Sequence, residues 1–290
     1  MAQDWVFDHV VIGASDVAAT AAFFALHGFD PLATRVLGSA EAERYGLPAG
    51  VDEVVLGVEG ASGGRVRIIA SPLDPDTYSP YAPRAEALDL YSRDVRASVA
   101  DAQEAGYKPA GPAADYAFGP MRLIQALVHG PDDVALVYVD LDPVTFRLPS
   151  VLDAAPERRH SELHSLVCVV DDLEAATAFF RDAAGLSLRA TFPLTEPAVA
   201  RFMGLPREST MRMSVLSASD AAPPRFELLQ FDGEPAEARA SLPLRPGCLL
   251  PVFTAGDLDA AAGLLEGPRL IAGAVVGRTP GGVEVEVRGR

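Results

Sequence analysis

Four aspartates, Asp16, Asp94, Asp172 and Asp257, each stand between a β-rich run and an alanine-rich run, 78, 78 and 85 residues apart in a chain of 290. An Asp at such a junction is suited to cap a helix, because its carboxylate accepts a bond from an amide of the first turn that has no partner within the helix. Each helical run then meets a glycine, at Gly28, Gly106, Gly185 and Gly267, where a left-handed C-terminal residue costs little. β-branched or alternating runs follow every helix: "EVVLGV" and "RVRIIA", "MRLIQALVHG" and "VALVYVDL", "MRMSVL" and "RFELLQFD", "LIAGAVVG" and "GVEVEVRG". The repeating unit is β-α-β-β-β, and evenly spaced repeats of one supersecondary unit constrain the architecture more than any single motif.

Pro- and Asp-rich connectors place the module edges near residues 80, 155 and 243. Modules 1 and 3 share a further echo, "RYGLP" at 44–48 and "FMGLP" at 202–206, while modules 2 and 4 share a Gly-Pro turn before their last strand. The order is therefore A-B-A-B, a duplicated pair of modules.

Asp and Glu outnumber Lys and Arg by 40 to 24, a net charge of −16 that repels phosphate backbones and anionic lipid. Nucleic acid and membrane are thus excluded as expected partners. The first residues, "MAQDWVFDHVV", lack a basic leader with a long apolar run, so a cytoplasmic location is expected. Cys168 and Cys248 are the only cysteines, too few for a disulfide scaffold or a cysteine-rich zinc module.

The strand headed by a histidine, followed by "DLEAATAFF" (Asp172 to Phe180) and later by a turn before "VEVEV", resembles the vicinal oxygen chelate superfamily. That group includes glyoxalase I, methylmalonyl-CoA epimerase, extradiol dioxygenases and the fosfomycin- and bleomycin-resistance proteins. The resemblance implies an α+β fold in which four βαβββ modules pair into two glyoxalase-like cups, with helices outside and a divalent metal (Mn, Zn, Ni, Fe or Mg) within. It also implies a division into residues 1–150, expected to be mainly scaffold, and 158–290, expected to hold the functional cup. A second pairing, module 1 with 4 and module 2 with 3, is equally open at this stage.

In such families the metal ligands come from the first and last strands of the modules. Carried over here, module 1 has His9 but Arg67 in place of its carboxylate; module 2 has Leu88 and Val137; module 3 has His164, one residue out of phase with Ser165, and Glu227; module 4 has Leu250 and Glu286. The implied metal set is His164, Glu227 and Glu286, with His9 a weaker member. Glu227 and Glu286 are the implied catalytic carboxylates, and Cys168, Leu250 and Arg67 the implied pocket residues. Returning His164 to the cup requires a bulge near Val170 or Asp171, since a one-residue slip turns a strand side chain to the other face. His27, His129 and His160 read as helix-end and turn residues. No His follows residue 164, which removes the second histidine that an extradiol dioxygenase needs.

Two functions are consistent with this pattern. One is a lyase- or isomerase-type enzyme, in which a metal chelates two neighbouring oxygens and a carboxylate moves a proton. The other is a metal-free protein that sequesters a small metabolite or antibiotic, as the bleomycin-resistance members do. Both take a small-molecule ligand, and a homodimer is compatible with either.

Overall fold

A computed structural model describes residues 5–75, 79–118, 121–141, 149–217, 225–233 and 242–290. Module 1 is β1 (Val6–Ala14), α1 (Val17–Ala25), β2 (Asp30–Val36), α2 (Ser39–Arg44), β3 (Asp52–Gly57) and β4 (Arg65–Ala70). Module 2 is β5 (Arg84–Ser92), α3 (Val95–Glu104), β6 (Lys108–Pro109), β7 (Ala114–Phe118), β8 (Met121–His129) and β9 (Ala135–Leu141). Module 3 is β10 (His160–Val169), α4 (Leu173–Ala183), β11 (Ser187–Leu194), α5 (Pro197–Phe202), β12 (Met211–Ser217) and β13 (Arg225–Phe231). Module 4 is β14 (Leu249–Ala255), α6 (Leu258–Ala262), β15 (Glu266–Ile271), β16 (Ala274–Arg278) and β17 (Glu284–Gly289).

All four aspartates cap their helices as expected. Their carboxylates accept from Ala19, Ala97, Ala175 and Ala260 at 2.9 Å, one turn into each helix. Module 4 departs at the other end: α6 closes at Gly263, and Gly267 lies inside β15. The "GLP" echo also has a structural basis. In each copy a short helix, α2 or α5, ends just before a left-handed glycine, Gly46 (φ +65°) or Gly204 (φ +70°).

Within each module the first strand runs parallel to the last: β1 to β4, β5 to β9, β10 to β13 and β14 to β17. Between modules the first strands pair antiparallel, β1 with β14 and β5 with β10. Module 1 therefore closes a cup with module 4, and module 2 with module 3, so residues 1–150 and 158–290 each contribute one module to each cup. The short helices follow the same grouping, α5 packing on β7 and β8, α2 on β15.

Each first strand is buried on both faces over most of its length, and β5 and β10 bury several polar residues there, among them Asp89, Glu162, His164 and Ser165. One face joins a core that runs through all four modules and includes Val10, Ile12, Leu88, Leu90, Leu166, Cys168, Leu249 and Phe253. The opposite face points into a cup. Val11, Leu250 and Val252 fill the module 1/4 cup, and Ala87, Tyr91 and Val169 belong to the module 2/3 cup.

Candidate functional site

The registers define four equivalent inward pairs, each with its first-strand member five residues before the helix-capping Asp. They are Val11 with Arg67, Asp89 with Val137, Val167 with Glu227, and Val252 with Glu286. Leu88 consequently faces the helix-side core, and the inward position of module 2 belongs to its neighbour Asp89. An offset of five from the cap would have found Asp89 in the sequence. Leu88 stands six residues before Asp94, one out of phase, and the family's offset of seven falls on Ala87.

The two cups have opposite contents. In the module 1/4 cup, Tyr45 is fully buried behind α2, and Leu242 and Leu244 of the last connector fill the remaining space. This plug is held by Leu244 N–H donating to Tyr45 O (2.8 Å), Ser71 Oγ donating to Leu244 O (2.7 Å) and Leu242 N–H donating to Glu284 (3.1 Å). The connector approaches so closely that a Cβ on Gly46 would lie 2.8 Å from Pro243. Glu286 is fully buried here and accepts from Arg44 (2.9 Å) and Arg288 (2.6 Å). Arg67 reaches Glu53, Tyr45 Oη (3.2 Å) and His9 Nε2 (3.2 Å), while His9 Nδ1 stands 2.9 Å from Asp8. Burial lowers the pKa of His9, opposed by Asp8. Arginines occupy the space that a cation would need, so this cup does not fit a metal.

The module 2/3 cup is open, with a cavity of about 300 Å³. Its walls are apolar and aromatic, and its polar side chains include Glu86, Asp89, Gln125, His129, Arg225 and Glu227. His129 is thus a strand residue that lines a cavity, not a turn residue. Asp89 is 1% exposed and its Oδ1 has no hydrogen-bond partner. Burial and the neighbouring Glu227 carboxylate push its pKa well above the usual carboxylate range, with Arg225 opposing. Tyr116, which donates to Gln125, is pushed up by burial and then by Glu227 and Asp89, so its hydroxyl lies in the field of both acids. Arg225 stands 3.6 Å from Glu227 and donates to Ser165 Oγ at 3.2 Å.

Ser165 holds the inward phase of β10, opposite Asp89 on one side and Arg225 on the other. Register slips against β5 lie at His160/Leu163, Leu163/Ser165 and Val167/Cys168, and the ring of His164, beside the second of them, meets Tyr91 with centroids 3.6 Å apart. His164 Nδ1 is 2.8 Å from Ser165 Oγ and 3.2 Å from Arg225 Nη2. Burial and then Arg225 hold its pKa well below the ordinary value. Neutral Nδ1 therefore accepts from the guanidinium, and His164 is not among the cavity-lining residues.

The expected trio of His164, Glu227 and Glu286 is not brought together: Glu227 lines one cup and Glu286 is sealed in the other. Of the expected pocket residues, Leu250 and Arg67 lie in the filled cup. Cys168 is fully buried in the helix-side core, its thiol pKa raised by burial and by Glu86. At the four inward paired positions of the open cup stand two carboxylates, Asp89 and Glu227, and two valines, Val137 and Val167, with Arg225 beside Glu227. Among the described residues no three His, Cys, Asp or Glu side chains are grouped to hold a metal ion. The donor set of the open cup does not fit the divalent metal that the resemblance implies.

Paired βαβββ modules forming two cups define the chain as one with the vicinal oxygen chelate fold. Among solved structures, glyoxalase I from Zea mays matches 98% of this chain with 92% of its own at a TM-score of 0.62 and 14% identity. A single-residue mutant of that enzyme gives 0.65 at 15% identity over the same shares. A Bacillus subtilis protein provisionally assigned as a dioxygenase matches all of this chain with 86% of its own, at a TM-score of 0.62 and 10% identity. No protein-family model matches the chain, and no curated protein matches it by sequence. Among the described residues no helix is long and apolar enough to cross a membrane.

Proposed function

We propose that the protein is a small-molecule binder that uses the module 2/3 cup, holds a mostly apolar ligand there, and does so without a resident metal. The observation that carries this reading is the contrast between the cups: one is filled by its own side chains and an arginine network, the other keeps a cavity of about 300 Å³ with two inward carboxylates. Cavities of this size, apolar with a few converging polar groups, are the usual form of a ligand site. Phe192, Phe202 and Phe231 supply apolar contact area, and Asp89, Glu227, Arg225 and Gln125 set the orientation of the ligand's polar end.

The test is thermal unfolding of untagged protein with chelator and with added Mn, Zn, Ni or Mg, alongside metal analysis. Unchanged melting and substoichiometric metal are expected. A stoichiometric metal whose removal lowers Tm would favour the metal-assisted lyase or isomerase instead.

A further inference from the structure

The ligand class follows from which charges in the open cup are already compensated, an argument that rests on reading that cup as the binding site. Of its three inward acids, Glu86 forms an ion pair with Arg84, and Glu227 has Arg225 at 3.6 Å. Asp89 is left. Its Oδ1 is buried, lines the cavity and lacks a hydrogen-bond partner, and Arg225, whose field acts on it, is shared with Glu227, Ser165 and His164. The other lining guanidinium, Arg189, donates through Nε to Ser217 Oγ at 2.7 Å. A buried acceptor without a donor is costly, and the cost is removed by a ligand that brings the donor. The walls beside it are aromatic: Tyr116 stacks on Phe202 with centroids 6.5 Å apart, and Tyr81 meets Phe231 edge-on at 4.8 Å. Aromatic faces attract cations and repel anions.

We propose that the module 2/3 cup takes a hydrophobic amine: an apolar, ring-sized body against Tyr116, Phe202 and Phe231, and a protonated nitrogen donating to Asp89 and Glu227. An anionic ligand would bring a third negative charge beside this pair, where Arg225 already serves Glu227. A neutral ligand would satisfy the Asp89 oxygen but not the charge that two adjacent carboxylates carry. The net charge of −16 draws cations toward the protein as a whole, which favours the same class.

The experiment is titration calorimetry of the full chain with three probes that share one body: 4-phenylbutylamine, 4-phenylbutan-1-ol and 4-phenylbutanoate. The amine is expected to bind about tenfold more tightly than the alcohol, and the carboxylate more weakly than either. Asp89→Asn is expected to erase the preference for amine over alcohol while leaving alcohol binding intact, with Glu227→Gln weakening it in the same direction. Melting curves of both variants establish that they are folded. Alcohol binding as tight as amine, carboxylate binding tightest, or an amine preference that survives Asp89→Asn would each overturn the amine assignment and leave the cup reading standing. If none of the three probes binds, both fall.

Discussion

Asp89 on β5 and Glu227 on β13 face one cavity from the two strands that flank β10, although 138 positions separate them in the chain and their modules carry different sequence signatures. Two acids held this way are compatible with a folded protein because Arg225 lies beside them, 3.6 Å from Glu227 and with its field on Asp89.

That arrangement sacrifices stability at neutral pH. Burial first, then Glu227, raises the pKa of Asp89 above its unfolded value, so its contribution is most favourable below the ordinary carboxylate range and is lost as pH rises through the folded pKa. The groups facing it are Glu227 and Arg225 from β13, Tyr116 from β7, Gln125 from β8 and Ser165 from β10. Asp89→Asn should therefore raise Tm by several degrees at pH 8 and by much less at pH 4, as read by calorimetry at the two pH values. An equal shift at both would show that the proton on Asp89 is not the cause.

Glu286 should behave in the opposite way. It is fully buried between Arg44 and Arg288, and removing one partner of a buried ion pair strands the others. Glu286→Ala is expected to cost about 3 kcal/mol in urea unfolding, with ligand affinity in the other cup unchanged in whatever fraction is folded. A loss of affinity without a loss of stability would place Glu286 in the binding machinery.

Acid lability is expected from a different cluster. His27 Nδ1 donates to Phe23 O (2.8 Å), its Nε2 accepts from Tyr138 Oη (2.6 Å), and His160 meets Ser98 Oγ (2.7 Å), with the two imidazoles 5.0 Å apart. Burial lowers His27 to about 4; burial, helped by His27 and Arg159, lowers His160 to about 3. Below about pH 6.5 the unfolded chain takes up protons at these side chains that the folded one refuses. Stability should fall from there towards pH 3, and His27→Gln with His160→Gln should flatten that limb in a pH series of denaturant unfolding curves.

Gly111 sets the width of the open cup. A Cβ at this position would lie 1.9 Å from the carbonyl oxygen of Arg201 in α5. Gly111→Ala must displace α5, whose Val199 and Phe202 line the cavity. A loss of about 1–3 kcal/mol of stability is expected, together with weakened binding of an apolar probe. Unaltered binding would mean that α5 shifts without changing the cavity wall that the probe contacts.

What the chain determines by itself is local. Asp16, Asp94, Asp172 and Asp257 meet their first-turn amides within three residues, so the repeat, the helix starts and the four-module fold are legible without coordinates. The inward face of Glu227 and Glu286 is legible for the same reason, since the strand alternation is a property of a few neighbouring residues. Tertiary structure decides the rest. Whether β1 pairs with β5 or β14 depends on edges far apart in sequence that can be buried in either pairing, so no local signal separates the alternatives. That choice divides Glu227 from Glu286, sets Asp89 beside Glu227, and lets Tyr45, Leu242 and Leu244 fill one cup while the other stays open. His164 shows the same limit at the scale of one residue: on a strand buried on both faces, with polar His164 and Ser165 adjacent, no alternation marks a bulge at Leu163–Ser165, and only packing on Tyr91 and Arg225 reveals which way the ring points.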